Sequence, residues 1–281
     1  MTGRRTVGML AVTLALAGCG DHRHGPPELV VGSGPEAQSV LLANIYAGAL
    51  RSYGFAARTQ STADPLNLLD SGTVSVVPAF TGKVLQTFQH GAPVRSDQQV
   101  YRAMIAALPE GLAAGDYATA AEDKPALAVT HATAGAWGGT DLSALPRHCD
   151  GLVVGARAGA STPAAVSRCR LPEARRFTDD TTMFAALRDG QVSAAWASTA
   201  NPDVPPDAVL LSDGKPALLQ AENVVPLYRR NELSDRQLLA INEVAGVLDT
   251  AALVDMQRQV AKGATVQSVA DAWLGEHPLG R

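Results

Sequence analysis

The sequence has 281 residues, of which 46% are hydrophobic and 18% are charged, and its formal net charge is −4. This composition excludes a disordered chain, because it supplies enough apolar side chains for one large core or for two lobes of ordinary size. A chain of negative net charge has no electrostatic reason to bind nucleic acid, so no nucleic-acid partner is expected.

The chain begins with the features of an export signal. Arg4 and Arg5 precede an apolar run over 7–17, which is too short to span a bilayer. The Leu-Ala-Gly-Cys sequence that ends at Cys19 resembles the bacterial lipobox, which implies that a signal peptide, 1–18, is removed and that the Cys19 thiol carries a lipid. The alternative is an ordinary signal peptide in which this cysteine occurs by chance.

Residues 19–28 are polar and rich in Gly and Pro, as in a flexible tether. A lipid on Cys19 would hold the protein at the outer face of the cytoplasmic membrane. His22 and His24 are potential metal ligands, but two histidines in such a linker are more often simply solvated, so no metal is expected.

Strands and helices alternate from Leu29 onward, which predicts an α/β chain with a parallel-dominated sheet covered by helices. A turn over 78–82 is expected to lead into a further helix. The predicted strands are 29–31, 55–59, 74–77, 126–130, 152–155 and 192–197, and the predicted helices are 36–53, 65–69, 97–107, 163–168 and 181–188.

The C-terminal end is predicted to be helical. Ser234 and Gln237 have the spacing of a capping box, and three helices follow at 235–248, 250–261 and 265–275. The chain is therefore read as two successive α/β units with a helical ending.

Without Cys19, the remaining cysteines are one pair, Cys149 and Cys169. In an oxidising compartment a disulfide is the default interpretation. Two buried free thiols are the alternative. A zinc site would need more ligands than the adjacent His148.

No motif indicates catalysis. Gly32 and Gly34 match a loose dinucleotide fingerprint, but Glu36 places a negative charge where a pyrophosphate would bind. The amides at 33–37 instead form a concave helix start that favours an anion. Hydrolase motifs with a nucleophile and a base are missing from the sequence. We therefore expect no enzyme, no catalytic residue and no cofactor.

Several segments resemble the quaternary-amine (glycine betaine/choline/carnitine, osmoprotectant) substrate-binding proteins of ABC importers. No single segment is decisive, but their order and spacing are fairly specific together. The matching segments are 30–38, the strand and turn Gly72–Gly82, the strand 126–129, the pair 209–213 and 222–227, and the helices over 233–274.

The resemblance implies a two-lobed fold of the type II periplasmic-binding-protein (Venus-flytrap) class, in which the chain passes twice from one lobe to the other. Lobe one would hold 29–125 plus 216–281, and lobe two would hold 126–215. A small solute would bind in the cleft between the lobes, and the closed form would dock on a membrane permease. A monomer is expected.

This chain departs from the family where the ligand is held. The family's cage of aromatic rings binds a methylated ammonium by cation–π contact, and the matching positions here are Phe80, Pro125, Ser198 and Glu222, with Trp196 nearby. No arginine for a ligand carboxylate is found near 158–163. The predicted site residues are Ser33, Gly34, Phe80, Thr81, Lys83, Pro125, Ser198, Glu222 and Asn223.

One ring is a poor cage for betaine, so the cleft is expected to prefer a polar or zwitterionic solute with its own hydrogen-bond donors. Whether Lys83 and Glu222 face the cleft, only pair with each other or point to solvent stays open. Two functions remain: a solute-binding lipoprotein that feeds an ABC importer, and a sensor or interaction lipoprotein that kept the fold with a degenerate site.

Overall fold

A computed structural model describes residues 28–280 of the chain. The predicted signal peptide, Cys19 and all but the last residue of the predicted tether lie outside the described residues. The strands are β1 Leu29–Ser33, β2 Ala57–Ser61, β3 Val76–Phe80, β4 Leu112–Ala114, β5 Pro125–Thr130, β6 Val154–Arg157, β7 Ala165–Val166, β8 Cys169–Arg170, β9 Arg175–Phe177, β10 Ala194–Ser198, β11 Ala208–Leu210 and β12 Val224–Arg229.

The helices alternate with these strands and then end the chain. A 3₁₀ helix covers Leu142–Arg147. The α-helices are α1 Ala37–Ser52, α2 Pro65–Asp70, α3 Thr81–Phe88, α4 Asp97–Ala107, α5 His131–Trp137, α6 Asp180–Arg188, α7 Asp235–Val247, α8 Thr250–Ala261 and α9 Val266–Glu276. Among the described residues no single helix is long and apolar enough to span a membrane, and the one pair with sufficient combined length, α7 with α8, is bent by 94°.

Ten of the twelve described strands form two five-stranded sheets, in the orders β2-β1-β3-β12-β4 and β11-β5-β10-β6-β9, and β7 pairs with β8 in a separate hairpin. In each sheet one strand runs against the other four: β12 in the first and β5 in the second. Each reversed strand directly follows a segment in which the chain passes from one sheet to the other. The parallel strands joined by helices were expected. The reversed strands were not, and they arise because a strand that follows one of these passages needs no crossover helix to enter its sheet.

Two lobes follow from this topology, with separate apolar cores. In the first, α1 buries every residue from Leu41 to Leu50 and packs against α7 and α9. Ser234 and Gln237 form the predicted capping box at the start of α7, which confirms the helical ending. The second lobe has its own core beneath β5, β6 and β10, around Leu127, Val154 and Trp196.

Two predicted elements differ from the structure. The helix predicted at 163–168 is wrong, because the segment forms the hairpin β7-β8, in which Val166 pairs with Cys169 and Ser167 has a φ of 55°. The strand predicted at 74–77 covers Val76–Phe80 in the structure, so residues 78–80 of the predicted turn belong to the strand and α3 follows at once. Pro78 is accommodated there because it lies opposite Pro226, so that neither strand requires an N–H at that pair.

Cys149 and Cys169 lie close together in the second lobe. Their Cα atoms are 5.7 Å apart and their sulfur atoms are at bonding distance. Cys169 is buried in β8, so the pair joins the hairpin to the end of the 3₁₀ helix. This placement is what the predicted disulfide requires.

Candidate functional site

A cavity of about 800 Å³ lies between the two sheets and is lined by residues of both lobes. Its polar side chains carry charges of both signs. From the first lobe and the passages they are Lys83, Gln86, Arg95, Asp123, Gln220 and Glu222, and from the second lobe they are Arg157, Ser161, Thr162, Asp180, Ser198 and Asn201.

Glu222 lies just before β12 and caps α3. It is 8% exposed, and its Oε2 atom accepts a hydrogen bond of 2.8 Å from the backbone N–H of Lys83. Burial raises the pKa of the Glu222 carboxyl from 4.5 to about 7, and the backbone hydrogen bond and charge of Lys83 oppose that rise only in part. Glu222 therefore titrates near neutral pH on the wall of the cavity.

Lys83 lies in the first turn of α3, and its ammonium group lies close to two other groups. Its Nζ atom lies 4.5 Å from the ring centroid of Phe80 and 3.9 Å from Oδ2 of Asp123. Lys83 is 61% exposed in its side chain, whereas that of Asp123 is only 11% exposed. Lys83 and Glu222 thus both line the cavity and also interact with each other, through the Lys83 backbone.

The cavity brings together four of the predicted site residues: Lys83, Pro125, Ser198 and Glu222. The other five lie elsewhere. Phe80 lies beneath Lys83, and Ser33 is buried at the end of β1. The remaining three make structural contacts: Gly34 donates its N–H to Ser39 Oγ, and Asn223 donates its backbone N–H to Thr81 Oγ1.

Sequence reasoning missed several residues that line the cavity. Arg157 is the last residue of β6, one position before the window in which an arginine was sought, and Arg95 precedes α4. Neither guanidinium forms an ion pair within residues 28–280. Trp196, which was noted as close to the lost rings, is the only aromatic residue among those that line the cavity. The available signal was that Arg157 ends a strand, because that end of the strand lies at the sheet edge that faces the cleft.

The two passages between the lobes are tied by an ion pair. Lys124 lies in the first passage, and its Nζ atom is 3.8 Å from Oδ2 of Asp213 in the second and 3.3 Å from Oε1 of Glu122. The Asp213 side chain is 1% exposed and accepts backbone hydrogen bonds from Leu218 and Leu219. A second cavity, of about 690 Å³, opens beside this pair and includes Asn223 in its wall.

Residues 27–276 match the protein family described as the substrate binding domain of ABC-type glycine betaine transport systems. The chain belongs to this family. It captures a solute for an ABC importer, and such substrate-binding proteins act outside the cytoplasm. A search of curated protein sequences finds no match to the chain.

Several solved structures share the fold of this chain. Apo YehZ from Escherichia coli is 20% identical with a TM-score of 0.72, over 90% of this chain and 99% of that one. A glycine betaine/carnitine/choline ABC transporter structure is 14% identical with a TM-score of 0.75, over 89% and 98%. Lactococcal OpuAC, in its closed conformation with glycine betaine, is 14% identical with a TM-score of 0.52, over 90% and 96%. The type II periplasmic-binding-protein fold is thereby confirmed.

Proposed function

We propose that this chain is the lipid-anchored solute receptor of an osmoprotectant-type ABC importer and that its solute is polar or zwitterionic. The observation that carries the proposal is the cavity between the two sheets, which both lobes line with charged side chains of both signs. A solute in such a cavity touches both lobes at once, so its binding energy favours their approach.

The lobes proposed from the sequence are 29–125 plus 216–281 and 126–215. The sheets support this division, since every strand of the first sheet lies in the first set and the strands of the second sheet lie in the other, apart from Pro125. The passages that contain Lys124 and Asp213 then serve as the hinge.

A cage for a methylated ammonium has little support in this cavity. Such a cage needs several aromatic faces around one cation. Trp196 is the only ring among the residues that line the cavity, and the face of Phe80 is covered by Lys83. Charged and amide side chains make up most of the polar wall, and these groups bind solutes that donate and accept hydrogen bonds.

Anchoring at the outer face of the cytoplasmic membrane rests on the lipobox-like sequence before Cys19. The solute and the membrane permease are the partners of the protein, and we propose that it acts as a monomer. The lipid keeps the receptor near its permease, where the local concentration of closed receptor is high.

A thermal-shift screen of the exported protein with osmolytes, amino acids, amines and sugars tests the function. A solute at 100 times its dissociation constant stabilises the protein by about 2.7 kcal/mol. Arg157→Ala and Arg95→Ala, one from each lobe, should abolish the shift, whereas Arg102→Ala, on the exposed face of α4, should leave it unchanged. If no solute shifts the wild type, the sensor or interaction role is favoured instead. A shift that survives in both cavity variants would place binding elsewhere.

A further inference from the structure

Lys83 occupies the positions that a solute cation would take. Its ammonium lies 4.5 Å from the centroid of the Phe80 ring and 3.9 Å from Oδ2 of Asp123. The Phe80 side chain is buried beneath it, whereas that of Lys83 is 61% exposed. A long, exposed side chain can move aside, so the ring and the carboxylate are available to a solute that displaces the Lys83 ammonium.

Asp123 lacks the donors that a buried carboxylate needs. Its side chain is 11% exposed, and its Oδ1 atom accepts no hydrogen bond from any described residue. The 3.9 Å contact from Lys83 to Oδ2 is an ion pair that is too long for a hydrogen bond. An unsatisfied buried acceptor is costly, so a solute that donates an N–H to Asp123 gains an interaction that Lys83 does not supply.

The cavity also holds cationic groups suited to the other end of a zwitterion. Arg157 comes from the second lobe and Arg95 from the first, and both guanidinium groups are exposed and free of ion pairs within residues 28–280. A guanidinium binds a carboxylate through two parallel hydrogen bonds. The cavity thus offers a carboxylate for an ammonium and guanidinium groups for an anion.

We infer that the cavity selects zwitterions whose ammonium carries N–H donors, and that Asp123 determines this selectivity against quaternary ammonium solutes. This inference rests on the proposed function. A trimethylated nitrogen cannot donate to Asp123, and it competes with the Lys83 ammonium for the single face of Phe80. An N–H ammonium replaces Lys83 at Asp123 and adds the missing hydrogen bonds.

Calorimetric titration of the exported protein with a methylation series tests this selectivity. Glycine, N-methylglycine, N,N-dimethylglycine and glycine betaine share one carboxylate and differ in the number of N–H donors. 4-Amino-3-hydroxybutyrate and carnitine form a longer matched pair. The solutes with N–H donors should bind about tenfold or more tighter than their trimethylated partners, because a hydrogen bond to a buried charge is lost on full methylation.

Two variants assign the effect to residues. Lys83→Gln removes a cation that every solute must displace, so it should tighten both members of each pair and leave the ratio between them unchanged. Lys262→Gln, at an exposed lysine that ends α8, should tighten neither. Asp123→Asn should remove the ratio by weakening the N–H solutes. Lys83→Met repeats the first test with an apolar side chain, and thermal unfolding checks that each variant is folded.

Three results would overturn the inference. The first is trimethylated solutes binding the wild type as tightly as their N–H partners, and the second is an unchanged ratio in Asp123→Asn. The third is no binding of any of the six solutes. In that case the proposed function stands if another solute of the wider screen binds, and it fails if none does.

Discussion

The ionisation of Glu222 should make the stability of the protein fall as the pH rises toward neutrality. Burial raises the pKa of this carboxyl from 4.5 to about 7 in the folded protein. Between these values the folded state holds a proton that the unfolded chain has lost, so the free energy of unfolding decreases with increasing pH. A pKa difference of one unit between the folded and unfolded states corresponds to about 1.36 kcal/mol. The raised pKa of Glu222 therefore contributes roughly 3 kcal/mol of stability at low pH, which is lost by about pH 8.

Glu222→Gln is the perturbation that isolates this contribution. The amide is uncharged at every pH, and its carbonyl oxygen can still accept the hydrogen bond from the Lys83 backbone N–H. Relative to the wild type, the variant should therefore gain up to roughly 3 kcal/mol of stability between pH 5 and pH 8. Other titrating groups contribute equally to both proteins and cancel in the comparison.

Urea denaturation followed by tryptophan fluorescence, at pH 5, 6, 7 and 8, measures the effect. Glu232→Gln is a matched control, because Glu232 is 44% exposed in its side chain and pairs with Arg229 at the surface. Its stability difference from the wild type should vary little with pH. A difference between Glu222→Gln and the wild type that stays constant from pH 5 to pH 8 would refute the reasoning about burial.

Three further predictions concern the disulfide, the hinge and the anchor. The Cys149–Cys169 bridge closes a separation of 20 residues, so its reduction should lower the free energy of unfolding by roughly 3 kcal/mol in urea denaturation. Two reactive thiols in the unreduced, unfolded protein would contradict the disulfide. Lys124→Met leaves the buried Asp213 carboxylate without its cation and should cost about 3 kcal/mol, whereas a loss near zero would show that the pair does not stabilise the passages. Cys19→Ala should leave an unprocessed precursor without lipid, and a lipidated variant would disprove the anchor.

Local patterns made much of the fold predictable. The predicted helix 97–107 has the observed bounds, and the box formed by Ser234 and Gln237 correctly marked the start of α7. These elements depend on capping residues and helical spacing within one segment. The hairpin at 165–170 was missed because its short strands have no periodicity and depend on the approach of Cys149 from another part of the chain.

The site was predictable only where a segment matched the family. The stretch Gly72–Gly82 drew attention to Phe80, but the structure places this residue at the end of β3, beneath Lys83, instead of in the predicted turn. That Lys83 covers this ring depends on the direction of a flexible side chain, which no motif records. Asp123 was missed for a different reason: an acidic residue in a passage between lobes looks like any solvated loop residue until its burial is known.

A solute that binds between the lobes should draw them together. Small-angle scattering of the exported protein, with and without the solute that gives the largest thermal shift, tests it most directly. The radius of gyration should be smaller with the solute, because the cavity that both lobes line must close around it. An unchanged radius at saturating solute would show that the binding site lies outside the cleft.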